Sequence, residues 1–87
     1  MISSGEEALL DYDSRIDITR DTCPMTFVRT RLALDRMAPG QVLLVEMRGA
    51  EPVRNVPRTA VEQGHEILAQ DGTPEGLVRL WLRRGGA

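Results

Sequence analysis

The chain has 87 residues, a net charge of −2 from 11 arginines and 13 acids, and no lysine. A chain of this length folds as one small domain burying roughly 60–65% of its unfolded surface, so its chemistry is expected at the surface rather than in a large cavity. The acidic balance excludes the basic face of a nucleic-acid binder, the missing lysine excludes a side-chain Schiff base, and the single cysteine excludes an internal disulfide. The apolar runs fall far short of the ~20 residues that cross a bilayer, and no charged-then-apolar signal opens the chain. No direct nucleic-acid partner, no membrane and a reducing, cytoplasmic setting are therefore expected.

Residues 1–14 read as an N-terminal extension that can fray, in which Ser4-Gly5-Glu6-Glu7 ahead of Ala8-Leu9-Leu10 has the form of a capping box. Residues 15–84 read as the domain and residues 85–87 as a flexible tail. Arg15-Ile16-Asp17-Ile18-Thr19 alternates polar and apolar side chains, which predicts a half-buried strand. Pro24 suits the first position of a helix, because the N–H it lacks has no partner there, and that makes Cys23 the N-cap. The helix is expected to run to Met37, ahead of the stop signal Ala38-Pro39-Gly40. At 100° per residue, Thr26, Phe27, Thr30, Ala33, Leu34 and Met37 form an uncharged arc, the core face. Met25, Val28 and Leu32 form a second, narrower strip between Arg29 and Arg36 on one side and Arg31 and Asp35 on the other. That strip is not needed for the core and is a candidate partner surface.

Residues 42–47 predict a second strand, broken by Arg48-Gly49-Ala50-Glu51-Pro52. Val53, Val56 and Ala60 recur at helical spacing with Gly64 as a C′ cap, and Pro57 is expected in the first turn or at a kink. Residues 65–70 and 77–82 read as two more strands, and the turn-rich stretch 71–76 makes them an antiparallel hairpin in which Trp81 packs. His65 has no second ligand near it, so no metal site is expected.

The order β-α-β-α-β-β predicts a two-layer α/β sandwich, with a mixed four-stranded sheet and both helices on one face. The other face is then either polar or used for contact. The first two strands, joined by a helical crossover, run parallel, so Cys23 and Arg48 leave them along the same edge. A free thiol titrates near pH 8.5, and a helix-terminus interaction of up to ~2 kcal/mol favours its thiolate.

The span 15–83 resembles the TusA/SirA family of small sulfur-carrier proteins. The resemblance is carried by Cys23-Pro24 at the strand-to-helix junction, Pro39-Gly40, Arg54-Asn55-Val56-Pro57 at the second helix, and the closing hairpin. It implies the same sandwich, a cysteine persulfide on Cys23 as the carried species, and a sulfur donor such as a cysteine desulfurase or rhodanese. It also implies a downstream acceptor protein and no cofactor. Arg31, Arg54 and Pro57 match the family pattern, and Pro24, Arg31, Arg48 and Arg54 are candidate supports of the site. Two positions depart from it: Thr26 replaces the second proline of Cys-Pro-x-Pro, and Arg48-Gly49 stands where an acidic pair is common. These departures favour an alternative, a regulatory or adaptor module that kept the fold without sulfur transfer. A third reading, a terminal Gly-Gly thiocarboxylate, would require removal of Ala87.

Overall fold

The computed structural model describes residues 11–22 and 24–86; Cys23, Ala87 and the capping-box segment lie outside the described residues. The elements are β1 (Ser14–Asp17), α1 (Met25–Asp35), β2 (Val42–Arg48), α2 (Ala50–Glu62), β3 (Glu66–Gly72) and β4 (Leu77–Arg83), the order the sequence predicts. The four strands make one mixed sheet in the order β1-β2-β4-β3. β1 runs parallel to β2, while β4 is antiparallel to both β2 and β3.

Alternation along each strand sends successive side chains to opposite faces. Ile18, Leu43, Val45, Met47, Leu80 and Leu82 therefore meet Leu34, Met37, Val56 and Ala60 of the helical layer in one core, with Ile16, Phe27 and Val53 packed against it. Each fully buried aliphatic side chain contributes about 1.5–3 kcal/mol. The expected core arc of α1 faces this layer, with Thr26, Thr30 and Leu34 buried and Phe27 and Ala33 half-buried.

The sheet's second face is largely polar. Arg15 pairs with Glu46 at 2.6 Å, Arg79 with Asp71 at 3.0 Å and Arg83 with Glu66, around a centre made of Leu44 and Trp81.

Several boundaries differ from the expected ones for local reasons. β1 stops at Asp17 because the Asp17 carboxylate accepts the Thr19 N–H and hydroxyl, at 2.9 and 2.6 Å, and turns the chain. Those two bonds hold the Asp17 carboxyl below the usual carboxylate range. The N-cap of α1 is Pro24, not Cys23, and Met25 is the first helical residue; the Met25 N–H closes a turn onto the Thr22 carbonyl at 2.7 Å first. At the other end α1 stops at Asp35, since the Arg36 N–H is shared between the carbonyls of Leu32 and Ala33 and the Met37 N–H reaches back to Leu34. Pro57 lies in the interior of α2 rather than its first turn. It leaves the Val53 carbonyl without its helical donor, while Val56, Pro57 and Ala60 are buried together and offset that loss.

Gly64 closes α2 as expected. With φ +93° it lets its own N–H bond the Val61 carbonyl and the His65 N–H bond the Ala60 carbonyl, both at 3.0 Å, a Schellman ending. His65 lies just before β3, not within it, and its Nδ1 accepts the Gly85 N–H at 2.9 Å. A Cβ on Gly85 would sit 2.0 Å from the Gly64 carbonyl oxygen, so only glycine fits at the start of the tail.

Partial burial, followed by the nearby Arg84 charge, lowers the His65 pKa, with Asp35 opposing. A histidine whose folded pKa lies below its unfolded value contributes stability above ~6.5 that is lost as pH falls toward the folded value. His65→Gln removes that titration. In thermal denaturation the advantage of the wild type over the variant should shrink as pH falls from about 7.5 to about 5.5; an advantage unchanged across that range would contradict the account.

Candidate strand-edge site

A parallel pair needs a crossover connection, and here the crossover is α1. The carboxyl ends of β1 and β2 consequently lie along one edge of the sheet: the Ile18 N–H continues the ladder onto the Glu46 carbonyl at 2.8 Å, and β2 runs on to Arg48. Each helix is the next element after its strand, α1 after the connection 18–24 and α2 after Gly49 alone, so α1 and α2 both open at this edge. The positive ends of both helix dipoles face the same region.

The β1–α1 connection is held firmly. Asp21 donates its N–H to the Ile18 carbonyl at 3.1 Å, its carboxylate pairs with Arg29 at 2.6 Å, and Arg29 also donates to the Asp17 carbonyl. Across from it, Gly49 caps α2 with φ +104° and ψ 148°, a conformation open to glycine. Glu51 stands in the first turn of α2, where a carboxylate is favoured by the dipole.

Between these segments lies a cavity of about 270 Å³ lined by Asp21, Thr22, Thr26, Arg48 and residues 49–52. Thr22 precedes Cys23 in the chain and Thr26 follows it by three residues, so the cavity adjoins the segments that flank the cysteine. Thr26, standing where the sequence motif has a second proline, is 2% exposed. Its carbonyl accepts the Thr30 hydroxyl at 2.8 Å.

Among the other candidate residues, Arg48 lines this cavity, while its NH1 donates to the Glu75 carbonyl at 2.6 Å. The guanidinium thus ties the end of β2 to the β3–β4 turn and brings that turn to the same edge. Pro24 caps α1. Arg31 instead lines a separate groove of about 160 Å³ between α1 and α2, with its Nε 3.9 Å from Asp35. Arg54 is an exposed residue of α2 and is not part of the cavity lining. Met25, Val28 and Leu32 are 41–49% exposed along α1, the helix that begins beside the cavity. Sequence reasoning missed Asp21, Glu51 and the Glu75 carbonyl. The only available signal was the polar run before the cysteine, since the other two come to this edge through β2 and the hairpin.

Among the described residues no group of His, Cys, Asp or Glu is placed to hold a metal ion, and no helix is long and apolar enough to cross a membrane.

The fold is a small α/β module in which two helix N-termini and a cavity lie at the carboxyl ends of two parallel strands. The profile of the sulfurtransferase TusA family matches residues 14–84, and the chain belongs to that family. It is 33% identical over 75 residues to a protein of Archaeoglobus fulgidus provisionally named a sulfur carrier, covering 86% of this chain and 85% of that one. It is 30% identical over 74 residues to Bacillus subtilis YrkI, provisionally named the same way, covering 84% of this chain and 96% of that one. The crystal structure of the SirA-like protein from Desulfitobacterium hafniense superposes with a TM-score of 0.72 at 20% identity, over 84% of this chain and 99% of that one, and so shares the fold.

Arg48→Ala removes the tie between β2 and the hairpin turn. Denaturant unfolding should show a loss of about 1 kcal/mol, and amide exchange at Gly76 and Leu77 should speed up with the rest of the sheet unchanged. Unaltered exchange in that turn would contradict the tie.

Proposed function

We propose that this protein carries sulfane sulfur as a persulfide on Cys23, receiving it from a donor protein and passing it to an acceptor protein. The observation that carries the reading is the convergence of two helix N-termini on the strand edge that flanks the family's cysteine position. A thiol beside positive dipole ends is drawn toward its thiolate, the nucleophilic form.

In the loading step the Cys23 thiolate attacks the terminal sulfur of a donor persulfide. One S–S bond forms on Cys23, the donor's own S–S bond breaks, and the donor cysteine leaves as a thiolate. An acceptor thiolate then attacks the outer sulfur on Cys23 and releases the Cys23 thiolate. Electrons balance within each exchange, and neither step calls for a metal or organic cofactor. A cysteine desulfurase or a rhodanese supplies a persulfide of the required kind.

In this reading Pro24 sets the backbone entering α1, and Arg48 supports the edge through the hairpin turn and adds positive charge to the cavity. Arg31 and Arg54 act away from the cavity, on the exposed helix surfaces that a partner meets. Met25, Val28 and Leu32 form the apolar part of the partner contact, with arginines beside them. The adaptor reading draws on Thr26 and Arg48-Gly49 and predicts no sulfur transfer.

Incubation with a cysteine desulfurase and cysteine should add the mass of one sulfur to the wild type and nothing to Cys23→Ser. The triple variant Met25→Ser/Val28→Ser/Leu32→Ser should load about tenfold less readily from the desulfurase, equivalent to ~1.4 kcal/mol of docking, yet load normally from inorganic polysulfide. No gain on the wild type, with partner binding intact in Cys23→Ser, would establish the adaptor reading instead.

A further inference from the structure

The cavity at the strand edge carries charge of both signs, although a thiolate calls only for positive charge beside it. Its lining brings together the guanidinium of Arg48, the carboxylates of Asp21 and Glu51, and the hydroxyl residues Thr22 and Thr26. Asp21 is already neutralised by Arg29 at 2.6 Å. Arg48 gives one N–H to the Glu75 carbonyl and keeps the rest of its five-donor fork. Among the described residues Arg48 and Glu51 form no ion pair, either with each other or with a third group. Two opposite charges thus line one small cavity without meeting. Thr26 adds an independent sign. It is 2% exposed, and while its carbonyl accepts the Thr30 hydroxyl, its own hydroxyl makes no hydrogen bond among the described residues. Buried hydroxyls are ordinarily paired, so an unpaired one lining a cavity marks a place for a ligand's polar atom.

We propose that this cavity binds a free α-amino-acid persulfide, cysteine persulfide, as a small-molecule sulfur donor, an inference that rests on the reading of Cys23 as a sulfur carrier. The ligand's α-carboxylate is received by Arg48 and the Thr26 hydroxyl, and its α-ammonium by Glu51. A lone anion would leave Glu51 opposing it and a lone amine would leave Arg48 opposing it, whereas a zwitterion satisfies both. The volume of about 270 Å³ lies below the ~300–1,000 Å³ of sites that take drug-sized ligands and suits a single amino acid. In the transfer the Cys23 thiolate attacks the outer sulfur of the persulfide. One S–S bond forms on Cys23, the S–S bond within the ligand breaks, and cysteine leaves as its thiolate. The proton on the outer sulfur travels with it, so atoms and electrons balance without a further reactant.

Binding is readable without transfer. In Cys23→Ser, titration with L-cysteine should shift the amide signals of Thr26, Gly49 and Glu51. Cysteamine, which lacks the carboxylate, and mercaptopropionate, which lacks the ammonium, should each bind about tenfold more weakly, the loss of one charged contact. With Cys23 in place, Glu51→Gln and Thr26→Val should each raise the cysteine persulfide concentration needed for half-maximal loading about tenfold and leave loading from inorganic polysulfide unchanged. Glu51 is exposed, so its variant keeps the fold even if Thr26→Val does not. Absence of shifts with L-cysteine, equal binding of all three thiols, or unchanged half-maximal loading in Glu51→Gln would each overturn the proposal and leave sulfur carriage standing. A wild type that loads from neither polysulfide nor cysteine persulfide would overturn the carrier reading, and this proposal with it.

Discussion

The parallel pairing of β1 with β2 is the constraint from which the rest follows. Four rungs, from Ser14 opposite Leu43 to Asp17 opposite Glu46, fix the two strands in one direction, and a parallel pair must be joined by a crossover. The crossover is α1, so its N-terminus falls at the carboxyl end of β1. Because β2 also ends there and α2 follows after one glycine, the second helix opens at the same edge. An antiparallel pairing would have separated the two helix starts. The hairpin completes the edge, since β4 lies antiparallel on β2 and Arg48 reaches the Glu75 carbonyl.

Around that edge the small core is stabilised by local closure rather than bulk. The Asp17 turn, the Asp21–Arg29 pair and the Schellman ending of α2 satisfy backbone and charge at the points where elements stop. At the far end, the Arg84 guanidinium donates to the Leu34 carbonyl at 2.8 Å and Gly85 bonds His65, so the C-terminal residues bridge the ends of both helices. The edge that flanks Cys23 is thereby left as the region where the N-termini of both helices meet.

Much of this was legible in the sequence because the signals were local. Alternation marked the strands, the uncharged arc marked the buried face of α1, and Gly64 marked the end of α2. What escaped depended on neighbours distant along the chain. Pro57 in mid-helix is tolerated because its face is buried beside Val56 and Ala60, a fact of packing that helix propensity does not carry. The shift of the α1 cap from Cys23 to Pro24 follows from a turn closed onto Thr22. At the site, Arg48 was placed at the right edge from topology alone, but its bond to Glu75 requires the hairpin register. Conversely, Arg31 matched the family pattern and lies in the groove between the helices.

The central claim is that this edge activates one thiol. The pH dependence of Cys23 alkylation by iodoacetamide tests it most directly, because the rate follows the thiolate fraction. The account predicts a midpoint below the ~8.5 of a free cysteine. A midpoint at or above that value would mean that the converging helix ends do not stabilise the thiolate, and would contradict the account.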